Sequence, residues 1–169
     1  LVRDILKYGD PRLTRPSEPV TEFTDELRQL VADMFETMYA ARGVGLAAPQ
    51  IGVNRRLFVM DCSGGRDAGQ KVALINPEIL ATEGEVVEEE GCLSLPGLYA
   101  KVARPYRVLV RGFDPEQREI TLEVTGLAAR CVCHEVDHLD GRLYISRLSP
   151  LKRDLLERKI RKLIKAGEW

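Results

Sequence analysis

The chain has 169 residues, a formal net charge of −1, 44% hydrophobic residues and 30% charged residues. That length points to one domain that buries roughly 70% of its unfolded surface, so four scattered cysteines are not needed as a disulfide scaffold. The ordinary composition excludes a wholly disordered chain, and the balanced charge removes any global argument for DNA binding.

The clearest helix opens at Thr24. Thr24 suits an N-cap, and Asp25 and Glu26 suit the positive end of a helix dipole. Leu27, Leu30, Val31, Met34, Phe35 and Met38 follow at helical spacing, and Gly43 is the expected stop. The middle of the chain reads as strands at Leu57 to Asp61, Val72 to Ile75, Leu98 to Val102, Tyr106 to Arg111 and Glu119 to Val124. Asp114-Pro115-Glu116-Gln117 reads as a turn joining the last two. A second helix is expected over Leu127 to Leu139. A third, over residues 150–166, takes Ser149 as N-cap and Pro150 at its first position, with Leu151, Leu155, Leu156, Leu163 and Ile164 as its apolar stripe. The pattern is α+β: one compact domain, residues 1–169, with antiparallel or mixed sheets around the second helix.

No membrane span is expected, because the longest stretch without Asp, Glu, Lys or Arg, Gly43 to Asn54, is about 12 residues and a spanning helix needs about 20. Arg3, Asp4, Lys7 and Asp10 occupy the place of an apolar leader. The expected compartment is the cytoplasm, or an organelle matrix, with reduced thiols.

The only two histidines, His134 and His138, stand four apart with Glu135 between them. Residues at i and i+4 share a helix face, so both imidazoles can reach one ion. Coincidence explains this His-Glu-x-x-His spacing on the order of 0.1% of the time. A divalent ion there would lower the pKa of a coordinated water, and Glu135 could take its proton. A third ligand is required. Cys131 lies about 10.5 Å from His138 along the helix axis, too far for a short side chain. Cys133 points about 100° away from His134. Cys62 follows an apolar strand and reads as packing. Cys92 remains, with Gly91 beside it permitting close backbone approach.

Three segments together resemble the peptide deformylase family. They are Gly43-Val44-Gly45-Leu46-Ala47-Ala48-Pro49-Gln50, Glu90-Gly91-Cys92-Leu93-Ser94, and His134-Glu135-Val136-Asp137-His138-Leu139-Asp140-Gly141. The resemblance implies that Cys92, His134 and His138 hold one divalent metal, usually ferrous iron, with zinc, nickel or cobalt able to substitute. It implies hydrolysis of the formyl group from the N-formylmethionine of newly made polypeptides, releasing formate. Glu135 is then general base and acid, while Gln50 and the Leu93 backbone N–H stabilise the oxyanion. It also implies that the substrate binds as an added strand, through backbone groups at positions matching Val44 and Gly91, with Gly45 a further substrate-binding position. Leu127 and Cys131 share a helix face with His134 and, with Val44, are the expected walls of a methionine slot. Two alternatives carry the same spacing: a zinc endopeptidase, and a catalytically silent metal-binding protein.

One position departs from the family pattern. Cys133 stands where a Gln is usual, so metal affinity or oxidation sensitivity is expected to change. Glu83, Glu85, Glu88 and Glu89 read as a solvated strand edge. Glu90 should have a structural partner, with Arg104 the candidate. Lys152, Arg153, Arg158, Lys159, Arg161, Lys162 and Lys165 make the last helix basic, and the resemblance suggests the ribosome as its partner.

Overall fold

The computed structural model describes all 169 residues, Leu1 to Trp169. Helix α1 spans Asp25–Ala40, and the Thr24 side chain accepts a hydrogen bond from the Leu27 N–H at 3.2 Å. The six stripe residues from Leu27 to Met38 are all buried, against Leu46, Leu57, Val59 and Ile75. The helix stops at Ala40, ahead of the expected Gly43. The chain turns into the left-handed region at Arg42 (φ 57°), which breaks the helix before the glycine is reached.

Seven strands follow: β1 Gly45–Ala47, β2 Leu57–Asp61, β3 Lys71–Glu83, β4 Val86–Cys92, β5 Leu95–Arg104, β6 Arg107–Phe113 and β7 Glu119–Thr125. Five form one sheet in the order β1-β2-β3-β6-β7, while β4 and β5, between β3 and β6 in the chain, form a separate hairpin. Every ladder is antiparallel, and the one parallel contact is the isolated bridge Glu18–Arg55. Strand β3 runs well past the expected end at Ile75. Asn76 adopts a positive φ at a bulge, and its amide grips the N–H and C=O of Val20 at 2.8 and 2.9 Å. The bulge absorbs Asn76-Pro77, and pairing with β6 resumes at Glu78.

Helix α2, Gly126–Leu139, is the structural centre. Ala129, Val132, Cys133 and Leu139 pack on Phe58, Leu74, Val108 and Val110 of the sheet. Ten of its 14 residues are buried, and five of those ten are Arg130, His134, Glu135, Asp137 and His138. A helix buried all round is ordinarily apolar, so each of these polar groups demands a partner. Gly141 ends the helix. Its φ is +77°, and a Cβ there would lie 2.7 Å from the Thr14 carbonyl oxygen, so only glycine fits.

Helix α3, Pro150–Lys165, is capped by Ser149 as expected. Its stripe is narrower than the spacing suggests. Leu156 and Ile160 are buried, whereas Leu151, Leu155 and Ile164 are exposed. The covered face runs through Arg153, Leu156, Glu157, Ile160 and Leu163, so Leu151, Leu155 and Ile164 fall outside it.

Asp33 on α1 is buried and accepts hydrogen bonds from Gln29 (2.9 Å) and Arg3 (3.0 Å). These bonds hold its carboxyl at about 2, below the ordinary 3.8. A depressed carboxyl adds stability above its unfolded pKa and loses it as pH falls toward the folded value. Asp33→Asn is therefore expected to unfold at lower urea than the parent at pH 6. The difference should shrink as pH drops from about 4 toward about 2. A gap independent of pH would contradict this assignment.

Candidate active site

The first imidazole, the second imidazole and the thiol come from two elements. His134 and His138 project from α2 toward the hairpin, and Cys92 ends β4. The side-chain donor atoms of Cys92, His134 and His138 all lie within 4.8 Å of one another. Cys92 Sγ is 3.3 Å from His138 Nε2, which is 3.2 Å from His134 Nε2. Leu93 and Ser94 form a two-residue turn from β4 into β5, and the Ser94 N–H points at Cys92 Sγ at 3.4 Å. Cys131 and Cys133 stand outside this group.

Behind His134 lies a buried ionic network. His134 Nδ1 donates to Glu90 Oε2 at 2.6 Å, which turns the Nε2 lone pair toward Cys92 and His138. Glu90 also accepts from Arg104 Nε (3.0 Å), Arg104 Nη2 (2.7 Å) and Arg130 Nη1 (3.0 Å). Arg104 Nη1 continues to Asp137 Oδ2 at 2.7 Å, and Asp137 is clamped by Arg147. Burial pushes the Glu90 carboxyl up, but the bonds from His134 and Arg104 outweigh it and hold Glu90 below the usual carboxylate range. The expected Glu90–Arg104 pairing is present. The roles of Asp137, Arg130 and Arg147 were not read from the sequence. Arg130, four residues before His134, was the available signal, because that spacing puts both on one helix face.

A cleft of about 430 Å³ opens beside this centre. Val44, Gly45, Gln50, Gly91, Leu93, Leu127, Cys131 and Glu135 all line it. Gly45 packs so closely that a Cβ would lie 2.5 Å from Glu135 Oε2 and 2.7 Å from Cys131 Sγ. Leu127 is 54% exposed, so it forms the rim of the cleft and not the core. The Val44 carbonyl already accepts from the Asp61 N–H at 2.8 Å, while the N–H groups of Val44 and Leu93 bond to no other group of the chain. Gln50 sits in a short 3-10 turn. Its Oε1 accepts from the Ala47 N–H (2.9 Å), which directs its Nε2 toward Ser94 Oγ (3.1 Å) and Cys92 Sγ (3.6 Å). Cys133 packs in the apolar layer under the sheet, where burial pushes its thiol up. A protonated, buried thiol is slow to oxidise, which runs against the expected oxidation sensitivity. Cys62 is half-buried against the same layer.

Burial pushes the Glu135 carboxyl up to about 7. Its Oε1 and the Nδ1 of His138 are the two buried side-chain polar atoms without a hydrogen-bond partner. Three lone-pair donors crowd one point, and a cation between them satisfies all three. A thiolate and two imidazoles suit a divalent transition metal, so the residues fit such an ion.

A Cys/His/His donor set, a carboxyl poised near neutrality and amide donors across a cleft together define the equipment of a metal-dependent amide hydrolase. A family model for polypeptide deformylase matches residues 2–154. The peptide deformylase of Acidobacterium capsulatum is 53% identical over 169 residues, spanning 100% of this chain and 99% of its own. A crystal structure of a peptide deformylase from Legionella pneumophila matches with a TM-score of 0.92 at 44% identity, over 99% of this chain and 98% of that one. The peptide deformylase of Thermus thermophilus matches with a TM-score of 0.88 at 45% identity, over 97% of this chain and 96% of that one. The chain belongs to the peptide deformylase family of enzymes.

Proposed function

We propose that this chain hydrolyses the N-formyl group of formylmethionine at the start of new polypeptides, with Cys92, His134 and His138 holding one ferrous ion. Zinc, nickel or cobalt suits the same thiolate and imidazole donors. The convergence of those three donors beside Glu135 carries the reading. When bound, the ion supplies Lewis acidity toward the formyl oxygen and acidifies a water.

The chain's own groups do the rest. Glu135 takes the proton of the attacking water at its carboxylate. It then returns that proton to the leaving amine as the C–N bond breaks. A carboxyl near 7 is suited to both transfers at neutral pH. Gln50 Nε2 and the Leu93 N–H donate to the oxygen that becomes negative in the tetrahedral intermediate. The Val44 N–H and Gly91 hold the substrate backbone as an added strand. Leu127, Cys131 and Val44, with Gly45 giving close approach, bound the methionine side chain.

Nickel-loaded protein should release formate from formyl-Met-Ala-Ser and leave unformylated peptides intact. Internal cleavage of unformylated peptides would instead indicate an endopeptidase.

The basic face of α3 is proposed to dock on the ribosome, through phosphate contacts. No α-helix of the chain is long and apolar enough to cross a membrane. Because Leu156 and Ile160 are buried, charge reversal tests docking better than truncation. A variant with Arg158, Lys159 and Lys162 all changed to Glu is expected to lose salt-sensitive co-pelleting with ribosomes. Undiminished pelleting would reject this role.

A further inference from the structure

The cleft is lined by charges of both signs, Arg42 and Arg130 against Glu89, Glu90 and Glu135. Arg42 lines it, beside the Gly43-Val44-Gly45 wall. The same three residues, Arg42, Gly43 and Val44, also line an adjoining depression of about 510 Å³, whose lining includes Asp61 and Lys71. The two hollows therefore share Arg42, Gly43 and Val44 as a common wall. Its left-handed backbone (φ 57°) sets the side chain where α1 turns into that wall. Arg42 is exposed and forms no ion pair and no side-chain hydrogen bond. Lys71 sits over the Phe35 ring, 4.6 Å from its centroid, opposite Asp61 in the β2–β3 register.

Other charges nearby have places of their own, although Asp61 keeps its negative charge because its partners are neutral. Asp61, in the same depression, is buried and accepts from Tyr39 and Ser63. Arg130 is tied to Glu90. Glu89 is the acid on the opposite wall, and Lys101 stands across from it in the hairpin register. Of the two cations that line the cleft, Arg42 is therefore the one without an ion pair, and it meets whatever leaves the cleft along its wall.

We propose that Arg42 is a specificity-determining residue that favours an acidic side chain at the second or third position of the substrate. The proposal rests on the deformylase reading above and adds a charge preference to it. A strand laid against Val44 sends alternate side chains to opposite sides, so one of these two positions faces Arg42.

The test uses full-length, nickel-loaded protein and amidated tripeptides, which carry no terminal carboxylate. Formyl-Met-Ala-Ser-amide is compared with versions carrying Asp or Lys at position two or three. An exposed ion pair of ordinary strength gives about a two- to fivefold gain in kcat/KM for Asp over Ala at one position. That gain should fade with added salt, as screening shortens to about 3 Å near 1 M. Arg42→Glu reverses the charge at a position whose positive φ weighs on either residue alike, and should reverse the order so that Lys exceeds Asp. Wild-type preference for Lys at both positions, or an Asp-to-Lys ratio unchanged by Arg42→Glu, would overturn the proposal. Formate release from none of the peptides, the neutral one included, would overturn the deformylase reading and this proposal with it.

Discussion

Glu135→Gln is expected to lower formate release by about 100- to 10,000-fold while leaving the bound metal in place. The carboxyl is buried, its Oε1 has no partner within the chain, and it lines the cleft beside the donor group. Glutamine keeps the size of the side chain, which the Gly45 approach makes necessary, but cannot accept and return a proton. Glu135 does not belong to the Cys92-His134-His138 group, so metal content by atomic emission should match the parent. Retained turnover would remove Glu135 as the proton carrier. Loss of both turnover and metal would move it into the ligand set.

Arg104→Met carries the largest expected stability effect. The guanidinium bridges two buried carboxylates, with three hydrogen bonds of 2.7 to 3.0 Å to Glu90 and Asp137. Burial alone would lower its affinity for the proton, yet Glu90 and Asp137 raise it, so the charge stays fixed. Removing one partner of such a buried pair costs about 3–5 kcal/mol, because the acids left behind are under-compensated. Arg130 and Arg147 still hold one acid each, which favours the lower end of that range. Glu90 also orients His134, so metal affinity should fall about 10- to 100-fold. Urea unfolding of chelator-treated protein measures the first effect, and competition with a chromophoric chelator measures the second. Arg104→Lys should rescue little, since an ammonium cannot make the fork to Glu90 and also reach Asp137. Parent-like stability in Arg104→Met would show that the network is not a structural requirement.

Much of the fold was legible where a local rule acts alone. Thr24 and Ser149 cap their helices because a hydroxyl before an apolar stripe answers a free N–H. The spacing of His134 and His138 announced one helix face, and the elimination of Cys131 on axial distance agrees with the observed donor group. Elements that depend on distant partners were harder. Strand β1 has three residues, too few to show a period of two. Strand β4 is mostly glutamate and valine in no alternating order, and only its pairing with β5 makes it a strand. The α3 stripe failed because periodicity says which residues share a face, not how much of that face is covered. Arg104 was identified as the partner of Glu90, but the extension through Asp137 to Arg147 joins β4, β5, α2 and the segment after it. No spacing rule links positions so far apart in the chain.

In the proposed function, one metal held by Cys92, His134 and His138 serves amide hydrolysis of a formyl group. The most direct measurement counts formate and new free amine together, anaerobically, using protein that carries one nickel or ferrous ion and formyl-Met-Ala-Ser. One formate and one amine per turnover, abolished when a chelator removes the ion and restored on reloading, is the predicted result. Turnover that survives complete metal removal, or a metal-loaded protein that releases neither product, would contradict the account.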